Sequence, residues 1–181
     1  FATFWRQTLY HCDHRELYHS HIADISLFVN SAQVNKKGKT QMVKVGFISL
    51  GCDKNRVDLE KMIFNIKEFG LQIENNPENA EIIIVNTCAF LESARAEAID
   101  NILYAVSLKE EGLIKGVVVT GCLAERYQQE ILNEMPEVDA VVGIGANGEI
   151  AEICKKVLEG NIVAEFPSKY CMPLEGDRIL S

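Results

Sequence analysis

IIIVN, residues 82 to 86, is the stretch that decides the fold. An uninterrupted apolar run of this kind suits a strand buried on both faces of a parallel sheet. Working outward, VKVGFIS (43 to 49) and GVVVTG (116 to 121) are strands of the same character, VDAVVGI (138 to 144) is a further one, and LQIE (71 to 74), before the turn Asn75-Asn76-Pro77, is a short candidate. Helical periodicity fills the gaps. Val57, Ile63, Phe64, Ile66 and Phe69 recur at helical spacing before Gly70, a long helix runs from Leu91 to about Lys109, another from Leu123 to Asn133 stops at Met135-Pro136, and Glu149 to Leu158 ends before Gly160. Strands and helices alternate throughout, and right-handed crossovers then give a doubly wound α/β fold. The expected sheet is mainly parallel, with five strands or so, flavodoxin-like or Rossmann-like, and helices on both faces. NIVAEF (161 to 166) offers one possible edge strand ahead of an extended tail with Pro167 and Pro173.

Composition bounds what such a fold does. The chain has 181 residues, 48% hydrophobic and 24% charged, with mean hydropathy +0.01, enough for one ordinary core. Its formal charge of -8 argues against a dedicated nucleic-acid binder that works by neutralising phosphates. No segment reads as a transmembrane helix or a signal peptide, which leaves the cytosol as the expected location and no membrane as partner. Residues 1–41 differ from the rest. They hold all four histidines and the only tryptophan, with five basic and three acidic residues against thirteen and twenty-three in the remainder, so the leader carries +2 and the body -10. Within it, HCDHRELYHSH supplies His11, Cys12, His14, His19 and His21, a metal-binding cluster on paper, but the spacing fits no standard zinc finger. The leader is therefore expected to be upstream sequence, mobile and partly helical.

Three of the six cysteines share one structural address. Cys52 follows the first strand, Cys88 follows IIIVNT and Cys122 follows GVVVTG, so each lies at the carboxyl end of a parallel strand, where open α/β sheets bind ligands. In a flavodoxin-like order these strands are neighbours, and at ~4.8 Å per strand their tips span about 10 Å. Each cysteine also precedes a helix, whose free N–H groups and positive end favour a thiolate or an anionic iron-sulfur cluster. A lone buried cysteine is usually a small hydrophobe; three at equivalent turns beside Gly51, Asn86, Thr87 and Gly121 are better read as a site. Structural zinc prefers four ligands in paired knuckles, whereas these cysteines stand 36 and 34 residues apart with no histidine beyond position 21. A cluster with one iron left open suits three thiolates better.

Other residues have plainer accounts. Cys154 lies with Ile150, Ile153 and Val157 on an apolar helix face and is expected to be core; Cys171 has no assigned role. Asn55 and Asn86 are candidates to donate hydrogen bonds to cluster sulfurs, against the equally ordinary roles of capping and turn formation. Asp58, Glu60, Glu92 and Glu97 are read as solvated carboxylates in first helical turns or on exposed faces. GIGANG places Gly143, Gly145 and Gly148 in a G-x-G-x-x-G pattern with Glu165 further on. A dinucleotide fingerprint belongs to the first βα turn, whereas this one follows the last main strand, so dinucleotide binding is not expected.

The cysteine motifs resemble a known family. SLGCDKNRVDLE (49 to 60), NTCAFLESARAEAIDNI (86 to 102), TGCLAERYQQEIL (120 to 132) and PEVDAVVG (136 to 143) are similar to the N-terminal domain of the radical-SAM methylthiotransferases, over Met42 to about Gly160. Asp53-Lys54-Asn55 after Cys52 and AFLESA after Cys88 favour the branch that methylthiolates an aspartate of a small-subunit ribosomal protein over the branch that modifies transfer RNA adenosine. The resemblance implies that Cys52, Cys88 and Cys122 hold an auxiliary 4Fe-4S cluster, and that a second cluster, in a following radical domain, cleaves S-adenosylmethionine. Cys12, Cys154 and Cys171 cannot make that domain's Cys-x-x-x-Cys-x-x-Cys motif. The implied organisation is a leader (1–41), an auxiliary-cluster domain (42–160) and a linker toward the radical domain (161–181). By itself such a chain is expected to be inactive and to bind no nucleic acid directly. A stand-alone, non-catalytic cluster-binding module is the alternative from another functional class.

Overall fold

The computed structural model describes residues 42–167. The leader 1–41, with its histidine cluster and Cys12, lies outside the described residues, as do Cys171 and residues 168–181 of the expected linker. The elements alternate as β1 (Lys44–Ser49), α1 (Asp53–Glu68), β2 (Gln72–Glu74), β3 (Ile82–Thr87), α2 (Glu92–Glu110), β4 (Gly116–Gly121), α3 (Cys122–Glu134), β5 (Ala140–Val142), α4 (Ile150–Leu158) and β6 (Val163–Glu165), with 3-10 turns at Pro77–Asn79 and Ile144–Glu149. The sheet is wholly parallel in the order β2-β1-β3-β4-β5-β6. It has six strands rather than five. Val163, Ala164 and Glu165 pair with Ala140, Val141 and Val142, so the candidate edge strand is real and extends the sheet past β5. The strand expected over 138 to 144 is shorter, because Asp139 turns its carboxylate back onto the Val117 amide at 2.9 Å and the chain coils into a 3-10 turn from Ile144.

Every residue of β3 and β4 is buried, as the apolar runs require of central strands covered on both sides. Alternation divides their side chains between two layers. Ile83, Val85, Val117 and Val119 join Ala98, Ile102, Leu123 and Ala124 of α2 and α3 in one cluster. On the opposite face, a Cβ on Gly116 would meet Val157 Cγ1 at 2.3 Å, which places α4 hard against β4 there, and the Asn65 side chain accepts a hydrogen bond from the Ala151 amide at 3.0 Å to tie α1 to α4. Cys154 is fully buried in that layer, as its apolar helix face implies. The chain switches sides of the sheet between β1 and β3, and that switch point is the crevice where open α/β sheets take ligands.

Candidate metal centre

β1, β3 and β4 are adjacent, and their register brings the three cysteines to one edge. Ser49 pairs with Asn86, Asn86 with Thr120, and Thr87 with Gly121, so Cys88 and Cys122 are the next residues on matched strands while Cys52 follows the longer turn through Leu50 and Gly51. Two glycines let these turns nest. Gly51 has φ +107, and a side chain there would put its Cβ 2.6 Å from Cys88 Cβ and 3.0 Å from its Sγ. Gly121 has φ +95, and its Cβ would meet the Thr87 carbonyl oxygen at 2.3 Å and Asn86 Oδ1 at 2.8 Å. Both conformations are ones that residues with a Cβ rarely adopt.

Asn55, nearly buried in the first turn of α1, binds the three turns together. Its Nδ2 donates to the Leu50 carbonyl at 2.8 Å and to the Thr87 carbonyl at 2.9 Å, which joins the turn after β1 to the turn after β3. Its Oδ1 lies 3.9 Å from Cys52 Sγ and 3.9 Å from Cys122 Sγ, accepting from both thiols. Asn86 donates through Nδ2 to Ser49 Oγ at 3.2 Å and to the Asn55 carbonyl at 2.9 Å. These contacts are of the turn-building kind that the sequence offered as the other role for both asparagines. Each side-chain amide has two hydrogens, and all four are spent on neighbouring oxygens. The pair builds the turns, and the sulfurs see an amide oxygen. Thr87 Oγ1 adds a further tie, donating to the Thr120 carbonyl at 2.5 Å.

The thiols differ in environment. Cys52 is exposed at the start of α1, and the Asn55 and Lys54 amide N–H groups hold its pKa below the usual thiol range, as expected of a thiolate at a helix N-terminus. Burial pushes the Cys122 pKa up, opposed by the Lys54 ammonium and reinforced by the neighbouring Cys88 and Cys52 sulfurs, so charge on any one of the three is felt by Cys122. Cys88 is buried. Lys54, which the sequence reading passed over, is thus the cation closest in effect to the site; it pairs with Asp58 at 3.1 Å. Asp58 and Glu60 are buried rather than solvated, the second paired with Arg56 at 3.6 Å along the same helix. The i,i+4 spacing of both pairs was the available signal.

Among the described residues, no group of three His, Cys, Asp or Glu side chains stands arranged around a single metal ion. Sulfurs on one tetrahedral zinc would lie about 3.8 Å apart, whereas ligands to separate irons of one cluster stand farther apart. Three thiols with no fourth protein ligand among the described residues suit three irons of a cluster better than one zinc. Three thiols on adjacent strand tips, two glycines that clear the space between them, and helix-start amides that favour the thiolate form make up the site.

The GIGANG segment is built differently. Ile144–Glu149 is a 3-10 turn whose first amide, Ile144 N–H, donates to the Glu125 carboxylate at 3.0 Å. A Cβ on Gly145 would meet the Pro167 carbonyl at 2.5 Å, and one on Gly143 would meet Glu125 Oε2 at 2.6 Å and Phe166 at 3.1 Å. The space a phosphate would occupy is filled by the protein's own carboxylate and by the segment after β6.

The model of the uncharacterized protein family UPF0004 matches residues 44–143. A ribosomal protein uS12 methylthiotransferase RimO from Lachnoclostridium phytofermentans is 47% identical over 124 residues, 68% of this chain and 28% of the relative. One from Thermoanaerobacter is 45% identical over 141 residues, 77% of this chain and 32% of the relative. One from Clostridioides difficile is 46% identical over 118 residues, 65% and 27% of the two chains. The chain thus spans about a third or less of the length of these relatives.

Proposed function

From the premise that this chain belongs to the methylthiotransferase family, in the branch of relatives named for ribosomal protein uS12, we propose that Cys52, Cys88 and Cys122 hold a 4Fe-4S cluster through three of its irons. The full-length protein would then add a methylthio group to an aspartate of a small-subunit ribosomal protein, in the cytosol. The observation that supports this most is the meeting of three cysteine turns at one sheet edge, knotted by the Asn55 amide. When bound, such a cluster supplies an iron with a free position at which sulfur can be carried.

The chain's own residues have separate tasks in this reading. Cys52 surrenders its proton more readily than Cys122, because the first amides of α1 point at its sulfur. Cys122, held back by burial, is assisted by Lys54. Asn55 and Asn86 keep the turns in register before and after the thiols lose their protons, so ligation needs no large rearrangement of the backbone. Radical chemistry on S-adenosylmethionine, with its own cluster, belongs in this proposal to the part of the relatives that the chain does not span. The present segment by itself would bind a cluster without turning over.

The open position is testable by electron paramagnetic resonance of the anaerobically reconstituted, reduced chain. Added hydrosulfide or methanethiolate is expected to change the signal. A signal indifferent to excess of either would contradict a free iron.

A further inference from the structure

The two ends of the Asn55 side-chain amide cannot be exchanged, and the end that faces the sulfurs is the oxygen. Two backbone carbonyls, those of Leu50 at 2.8 Å and Thr87 at 2.9 Å, sit against the other end. A carbonyl only accepts, so that end is the nitrogen, and both of its hydrogens are taken. Asn55 Oδ1 therefore stands 3.9 Å from Cys52 Sγ and 3.9 Å from Cys122 Sγ. Each thiol donates to it; with the protons gone, the same oxygen faces two negative sulfurs. Asn55 is 2% exposed, so solvent screens this contact poorly. A second amide oxygen lies on the Cys122 side. Asn86 Oδ1 is buried, has no hydrogen-bond partner among the described residues, and lies 2.8 Å from where a Cβ on Gly121 would stand, one residue before Cys122. The opposing influences are uneven. Backbone amides of Lys54 and Asn55 favour negative charge at Cys52, whereas at Cys122 burial adds to the effect of the oxygens. The Lys54 ammonium acts on both sulfurs but is paired with Asp58 at 3.1 Å.

We infer that Asn55 sets the electron affinity of the proposed cluster: its amide oxygen, fixed between Cys52 Sγ and Cys122 Sγ, opposes negative charge on both sulfurs and holds the reduction potential down. Groups around the ligand sulfurs tune such potentials. An N–H aimed at a sulfur stabilises an added electron, and the negative end of an amide dipole does the reverse. The same side chain thus has two tasks, its nitrogen tying the turns and its oxygen biasing what the turns hold. An electron added at this site would repel an anionic sulfur bound at the open iron, so a low potential suits a site that carries sulfur. This takes from the proposed function only that a cluster is bound by the three cysteines.

The test is the midpoint potential of the anaerobically reconstituted chain, followed by electron paramagnetic resonance during reduction with dithionite, in Asn55→Leu and Asn55→Asp. Both substitutions keep the branched shape of asparagine and both lose its donors to the Leu50 and Thr87 carbonyls, so the damage to the turns is shared. Their electrostatics are opposite, since the first removes the oxygen and the second adds a full negative charge. Asn55→Leu is expected to be reduced about tenfold more readily, a midpoint about 59 mV higher for one electron, and Asn55→Asp to move at least as far the other way. Ser49→Ala, which removes a partner of Asn86 at 3.2 Å without touching a sulfur, should leave the midpoint in place. Should one Asn55 variant fail to hold iron, the direction of the other decides. Shifts of the same sign in both, no shift in either, or an equal shift in Ser49→Ala would overturn the inference. So would loss of iron from both variants while the unsubstituted chain keeps it, since Asn55 would then only build the turns. An unsubstituted chain that takes up no iron and sulfide would instead defeat the cluster reading, and the inference with it.

Discussion

Turns at the same edge of the same sheet have opposite fates. After β1, β3 and β4 the turns leave a rim on which three sulfurs converge; after β5 the turn is filled, with Glu125 on the Ile144 amide and Pro167 against Gly145. Both look like ligand loops by position, because each follows a buried parallel strand. The difference lies in what the rest of the chain places above them. Gly51 and Gly121 are needed so that turns can approach one another and expose sulfur, whereas Gly143 and Gly145 are needed so that the segment 166–167 can close over the turn. A glycine after a strand reports close approach, and the identity of the approaching group decides whether a site results.

The largest expected contrast is in thiol reactivity of the metal-free chain. Thiolate forms as pH rises through the pKa, so the lowered pKa of exposed Cys52 brings its reactive form in at lower pH than a free cysteine, while burial delays Cys122. Cys154, with no exposure and a pKa pushed up to about 12, should alkylate at least about a thousandfold more slowly than Cys52 at pH 8. Mass-spectrometric rates with iodoacetamide check this, and comparable rates at Cys52 and Cys154 would erase the distinction between rim and core.

Glycine substitutions sharpen the comparison through stability, measured by urea unfolding. Gly121→Ala combines a positive φ with backbone contact to Thr87 and should cost about 3 kcal/mol. Asn55→Ala removes both donors to the Leu50 and Thr87 carbonyls and should cost about 2 kcal/mol. Gly145→Ala meets the Pro167 carbonyl and ring but without a positive φ, and should cost about 1 kcal/mol. Gly148→Ala, with nothing within 4 Å of the added carbon, should stay within about 0.5 kcal/mol. Equal costs at 145 and 148 would show that 166–167 does not pack as described.

The alternation of apolar runs with helical periods made the parallel sheet and its switch point legible, because a buried central strand such as β3 leaves no polar position to confuse the pattern. The shared address of Cys52, Cys88 and Cys122 was legible for the same reason, since Cys88 and Cys122 stand one residue past such runs and Cys52 three. The roles of Asn55 and Asn86 were not, since their partners, Thr87 and Ser49, are more than 30 residues away and donors can be counted only when the folded neighbours are known. β6 showed only as a possible edge strand, because three residues carry little periodicity, and the hydrogen bond between Arg95 and Tyr127, 32 residues apart, left no local trace.

The central claim is that three strand-end cysteines and no others hold one cluster. Anaerobic iron and sulfide reconstitution of the chain, with both elements counted per molecule, tests it most directly. About four of each are expected, lost in Cys52→Ala, Cys88→Ala or Cys122→Ala and retained in Cys154→Ala. Full iron and sulfide content in the triple variant would contradict the account.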